Sequence, residues 1–113
     1  MKIVHENQAR KFKNSDTCMA TEYPLGDKDI NVAYVEVLGR YPAEGRVMNE
    51  KCKELAYIME GSGKIVVEGE EISLNERDLI LLEPGERFYW EGNMKMLVPC
   101  APAWYAEQHK ELE

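Results

Sequence analysis

From Ile30 onward no apolar periodicity lasts long enough to build a helix, because short runs rich in β-branched and aromatic residues are repeatedly cut by glycine, asparagine and acidic residues. A chain punctuated this way folds as an all-β sandwich or barrel. The first clear strand is Asn31 to Leu38, ended by Gly39 and Pro42, after which Gly45 permits the turn into the next strand. Leu55 to Met59, the tight turn Gly61-Ser62-Gly63 and Lys64 to Val67 predict a hairpin. Glu68-Gly69-Glu70 marks a second turn before Glu71 to Leu74, and Asn75-Glu76-Arg77 a third. Asp78 to Leu82 is almost unbroken in its apolar character and is expected to be buried on both faces or at a sheet-to-sheet interface. Glu83-Pro84-Gly85-Glu86 is a loop. Arg87 to Trp90 and Lys95 to Val98 close the series, with Glu91-Gly92-Asn93 as the turn between them.

The flanks are less regular. Thr17 to Tyr23 predicts an extra strand before Pro24-Leu25-Gly26, free to pair with a second subunit. Ala103 to Leu112 follows Pro102, contains good helix formers and predicts a helix of a few turns at most. With 113 residues the chain fits one domain, divided into an N-terminal arm (1–28), a barrel core (29–100) and a C-terminal tail (101–113). No internal repeat is visible.

A formal charge of -7, with the basic residues not gathered into a stripe, argues against nucleic acid and anionic membranes as partners. Met1 to Ser15 lacks the apolar stretch of a secretory signal and no run is long enough to span a bilayer, so the expected location is cytoplasmic. Cys18, Cys52 and Cys100 are too widely spaced for a zinc-type pair and are expected as reduced thiols. Cys52 lies between Lys51 and Lys53, which would favour a thiolate, but no histidine is near it in sequence, and an ordinary exposed cysteine is the expectation.

Two segments carry a specific resemblance. Gly39 to Gly63 reads GRYPAEGRVMNEKCKELAYIMEGSG, and Arg77 to Asn93 reads RDLILLEPGERFYWEGN. In this order they resemble the two motifs of the cupin family, over about half of the chain. Glu54 and Gly61 keep the spacing of the first motif, and Asp78 and Pro84-Gly85 keep the strand start and turn of the second. The resemblance implies a jelly-roll barrel. It also places the family's metal-binding histidines on Val47, Asn49 and Phe88, leaving Glu54 alone of the usual ligand set. Valine and phenylalanine have no lone pair to offer and an amide is a weak donor. A register shifted by one residue would present Met48 and Glu50, still without imidazole. The implied protein is a metal-free cupin with no cofactor. His5 and His109 lie outside the motif strands and are expected at the surface.

If the barrel follows its relatives, Val47, Asn49, Glu54 and Phe88 face one cavity, and strand alternation adds Ala56 and Ile58 beside Glu54 and Trp90 beside Phe88. This apolar cup suits a small sugar or carboxylate ligand, bound or sensed, with Phe88 and Trp90 as flat walls and Asn49 and Glu54 as polar anchors. Two alternatives stay open. Glu54 could serve as the acid/base of a metal-independent isomerase, epimerase or lyase, its proton affinity raised by burial; or the interior could be filled, leaving a structural barrel. Tyr34, Tyr57 and Tyr89 are expected to pack on the sheet with hydroxyls at its rim. Arg46 and Arg87 flank the cup as solvated strand-edge charges, and the closing aromatics Trp104 and Tyr105 either cover the mouth or staple the tail to the outer sheet. The family resemblance and the spare N-terminal strand together imply a homodimer.

Overall fold

The computed structural model describes residues 1–113 and is built almost entirely of antiparallel strands. These are β1 (Arg10–Ser15), β2 (Cys18–Glu22), β3 (Asn31–Tyr41), β4 (Arg46–Asn49), β5 (Lys53–Val67), β6 (Glu70–Leu74), β7 (Leu79–Leu82), β8 (Phe88–Ala101) and β9 (His109–Leu112). They make one curled sheet of order β1-β2-β3-β8-β4-β9, with β5 pairing β6, β7 and β8. The result is the all-β jelly roll that the punctuated sequence implied. No helix is long and apolar enough to cross a membrane.

Period-two alternation builds the core. Val37 of β3, Ala56 and Ile58 of β5, and Phe88, Trp90, Met94 and Met96 of β8 point inward and are almost wholly buried. The longest ladder joins β5 to β8 from Lys53↔Ala101 to Val67↔Phe88. It overturns two expected turns, since neither Gly61-Ser62-Gly63 nor Glu91-Gly92-Asn93 reverses the chain and each lies inside a continuous strand. The reason is close approach. Gly63 faces Gly92 across the ladder, and a Cβ on Gly92 would stand 2.5 Å from the Gly63 Cα, while one on Gly63 would stand 2.5 Å from the Glu91 carbonyl oxygen. Two facing glycines let both strands bend together without parting. A register shift between Ile58 and Glu60 changes the parity of β5. Glu54, Ala56 and Ile58 face inward before it, and Ile65 and Val67 after it.

Three further expectations are corrected. The apolar run at β7 is not buried on both faces: Leu79 is 62 % exposed and Leu81 46 %, while Leu82 enters the core and Ile80 packs against it. Strand β7 pairs with β5 alone, so its outer face stays open beside Leu55 and Tyr57. The tail is not a helix. A single 3-10 turn, Ala106–Gln108, leads into β9, which pairs with β4 from Arg46↔Leu112 to Asn49↔His109. A short helix is marginal in water, whereas a strand here satisfies the open edge of β4. Finally, β2 is not spare, because it pairs with β3 on one side and with β1 on the other within the same chain.

The glycine crossing yields a direct test. Gly92 has φ +146°, and Gly92→Ala should destabilise the fold by about 2 kcal/mol or more through strain and overpacking, read as a lowered urea midpoint.

Candidate functional site

Inside the curl, between β2, β3, β5, β8 and the returning tail, lies a cavity of about 120 Å³ lined by 17 residues, 12 of them hydrophobic. Its walls come from alternate residues of neighbouring strands: Cys18 and Ala20 of β2, Val35 and Tyr41 of β3, and Met96, Val98 and Cys100 of β8. Phe88 and Trp90 form a further wall, packed edge to face with centroids 6.1 Å apart. Trp104 of the tail completes the lining. Its backbone N–H donates to Asn31 Oδ1 at 2.9 Å, and Asn31 Nδ2 donates to the Trp104 carbonyl at 3.2 Å, which pins the tail to the start of β3. Trp104 therefore lines the cavity while its backbone ties the tail to β3, and its ring sits 5.5 Å from the His109 imidazole.

The polar end of the cavity is organised from the backbone outward. Gln108 Oε1 accepts from the backbone N–H groups of Lys51 and Cys52, both at 3.2 Å. With its oxygen so committed, the Gln108 amide presents Nε2 to Asn49 Oδ1, at 3.0 Å. Asn49 in turn presents Nδ2 to Glu54 Oε1, at 2.9 Å. His109 Nδ1 lies 3.1 Å from the same Asn49 oxygen, which can only accept, so Nδ1 carries the hydrogen. Nε2 then keeps its lone pair when the ring is neutral, facing the Tyr41 hydroxyl at 3.4 Å. Main-chain polarity near Cys52 thus sets the tautomer of a histidine and the donor that faces a carboxylate.

Glu54 is 8 % exposed. Burial pushes its carboxyl up to about 7, against the opposing hydrogen bond from Asn49. Its other oxygen, Oε2, takes no hydrogen bond from the protein, and since no fully enclosed polar side-chain atom lacks a partner, Oε2 is open to the cavity. Burial also raises the Tyr41 phenol and the Cys18 and Cys100 thiols, and it lowers His109 against the pull of Glu111. All four are uncharged at neutral pH, and no lysine or arginine lines the cavity.

Of the residues the sequence nominated, Glu54, Phe88 and Trp90 line the cavity. Val47 and Ala56 are fully buried and do not reach it, and Asn49 sits behind Glu54 as its hydrogen-bond donor. His109 is not a surface residue, because the β4–β9 pairing carries it beside Asn49. Cys52 is not exposed either: it is wholly buried, its thiol raised by burial, with Sγ 3.9 Å from the Ala103 carbonyl. Tyr34, Tyr57 and Tyr89 do not line the cavity, and the Tyr89 ring carries the Arg40 guanidinium 3.8 Å from its centroid. Arg87 pairs with Glu68 at 3.0 Å. Tyr41 is the phenol the sequence reading missed. Had the strand been carried past Leu38, the alternation Val35, Val37, Tyr41 would have pointed to it.

These donors do not fit a transition metal. Val47 and Phe88 have no ligating atom, both amide atoms of Asn49 are hydrogen-bonded, and no three His, Cys, Asp or Glu side chains converge.

A curled antiparallel barrel with its cavity between the sheet faces, built on two motifs around Glu54 and Pro84-Gly85, defines a cupin. Residues 29–97 match the EutQ-like cupin domain, and the chain belongs to that family. Solved structures agree on the fold. Streptomyces Pac13 with uridine superimposes with a TM-score of 0.88 at 22 % identity, covering 98 % of this chain and 90 % of that one. A second structure of Pac13, described as a nucleoside dehydratase, gives a TM-score of 0.89 at 21 % identity over 100 % and 92 % of the two chains. Ectoine synthase from P. lautus gives 0.75 at 17 % identity over 100 % and 91 %. No curated protein matches the sequence.

The raised proton affinity of Glu54 has a thermodynamic consequence. A carboxyl with a higher value folded than unfolded favours the native state fully below about 4.5, and that contribution is lost as pH rises through about 7. Glu54→Gln should flatten this part of the stability profile, removing a decline of about 3 kcal/mol between pH 4 and pH 8. Denaturant melts of both proteins across that range provide the check.

Proposed function

We propose that this cupin binds a small organic molecule in the barrel, with the molecule's flat or ring-shaped body between Trp104 and the Phe88–Trp90 wall and a polar end at Glu54. The observation that carries this reading is a cavity of about 120 Å³ whose polar oxygen, Glu54 Oε2, has no protein donor. An apolar cup with a few convergent polar groups is the usual form of a small-molecule site. A cavity near the size that holds benzene in an engineered core also speaks against a barrel with a filled interior. Of the two ligand classes expected from the sequence, a carboxylate is disfavoured because the lining offers no cation. A sugar ring remains compatible with aromatic walls. The structural relatives support small-molecule chemistry on this fold, since Pac13 is seen with uridine and ectoine synthase is an enzyme.

A second reading, proton-transfer catalysis without metal, is favoured by one specific arrangement. A carboxyl that titrates near pH 7 shares the cavity with the Tyr41 phenol and the neutral His109 imidazole. Glu54 would take a proton from carbon, and Tyr41 would donate to a developing oxyanion. An isomerase, epimerase or lyase fits this set. A homodimer stays part of the proposal on family resemblance alone, the N-terminal strand being paired within its own chain.

Ligand-observed NMR against a fragment library tests the binding reading, with Ala20→Phe as a cavity-filled control. Fragments should bind the native protein and lose most of their signal with the filled variant, provided that variant keeps its thermal transition. A library in which nothing binds the native protein would sink the reading. For any compound that is turned over, Glu54→Gln should leave binding within a few-fold and reduce kcat by about a hundredfold or more.

A further inference from the structure

The charges around Glu54 say more about the ligand than the shape does. Eight ion pairs occur in the structure, each between solvent-accessible side chains, and Glu54 is in none of them. The titratable groups that face it are Cys18 on β2, Tyr41 on β3, Cys100 on β8, His109 on β9 and the neighbouring Cys52. None brings a positive charge at neutral pH. The second acid in the lining, Glu22 of β2, has Arg10 as its neighbour across the β1–β2 pairing, and Arg10 does not itself line the cavity. The site is thus electronegative, walled by four aromatic rings and short of one positive charge.

A buried carboxylate with a single amide donor is an unpaid electrostatic cost in the free protein. An anion would add to that cost. A neutral hydroxyl would supply one hydrogen bond, but an ammonium group would supply both hydrogen bond and counter-charge while its apolar body filled the aromatic cup. We infer that the ligand class of this cavity is a small organic ammonium ion, its charged nitrogen at Glu54 Oε2 and its body between Trp104, Trp90, Phe88 and Tyr41. The inference rests on the cavity being a binding site and adds the sign of the ligand's charge.

Benzylammonium, benzyl alcohol and benzoate share a ring of the right size and differ in charge, so they separate this inference from the reading beneath it. Each is titrated at pH 8 into the native protein, followed by tryptophan fluorescence and by ligand-observed NMR. Benzylammonium should bind at least about tenfold more tightly than benzyl alcohol, with benzoate weakest. In Glu54→Gln the preference for the cation should fall to within about threefold, with the alcohol little affected. Glu54→Asp, which withdraws the carboxylate, should give an intermediate preference and serves if the glutamine variant does not fold. Equal binding of cation and alcohol, or tighter binding of benzoate, overturns the ammonium inference while leaving the pocket reading intact. A cation preference that survives both variants places its origin elsewhere and overturns it too. Failure of all three probes, together with an empty fragment screen, overturns the pocket reading itself.

Discussion

Everything in this barrel hangs on the antiparallel pairing of β5 with β8, which runs the full length of both strands and bends where Gly63 meets Gly92. Straight strands of this length would make a flat sheet with its apolar face in water. Bent at the glycine crossing, they bring one end, with Glu54 and Cys100, over the side chains of β2 and β3, while the other end packs Ile65 and Val67 against β6. The bulge after Ile58 keeps the inward set apolar on either side of the bend. A backbone feature with no side chain of its own therefore decides where the cavity lies.

A second constraint acts inside that frame. The buried amides of Gln108 and Asn49 transmit the direction of two main-chain N–H groups to the carboxylate of Glu54 and the ring of His109. The amide atoms of Gln108 and Asn49 are all hydrogen-bonded, and only Glu54 Oε2 is left without a protein donor. The same hydrogen-bonded amides tie β9 to β4 at the edge of the sheet. Val47 and Phe88 serve as packing, and Asn49 is part of this amide chain. The chemistry left around Glu54 is that of its carboxyl group, the Tyr41 phenol and the His109 imidazole among apolar walls, with Glu22 as a second carboxyl in the lining.

Much of this was legible in the residues. The spacing from Glu54 to Gly61 and the Pro84-Gly85 turn, read with the strand pattern, identified the barrel, and alternation put Phe88, Trp90 and Glu54 on inward faces. Turn residues were the weak point. Glycine marks a reversal in Glu68-Gly69 but a strand crossing in Gly63 and Gly92, and the difference is whether another backbone lies within van der Waals reach. The tail was misread because helix propensity is a local preference worth a few tenths of a kcal/mol per residue, and the open edge of β4 outweighs it. That error hid His109 and Gln108, and stopping β3 at Leu38 hid Tyr41.

By itself, then, the sequence determined the fold family and the identity of the inward-facing residues in the central strands. These follow from alternation and from short spacings, both properties of neighbours along the chain. Only the tertiary structure decided that the interior holds an open cavity, that Trp104 lines it, and that Asn49 supports Glu54 from behind in company with Gln108 and His109. The contacts that bring in Trp104, Gln108 and His109 join residues more than fifty positions apart, and they depend on the curvature of two strands and the path of the tail. Local pattern carries no information about distances of that kind, because they are set by packing the whole sheet at once.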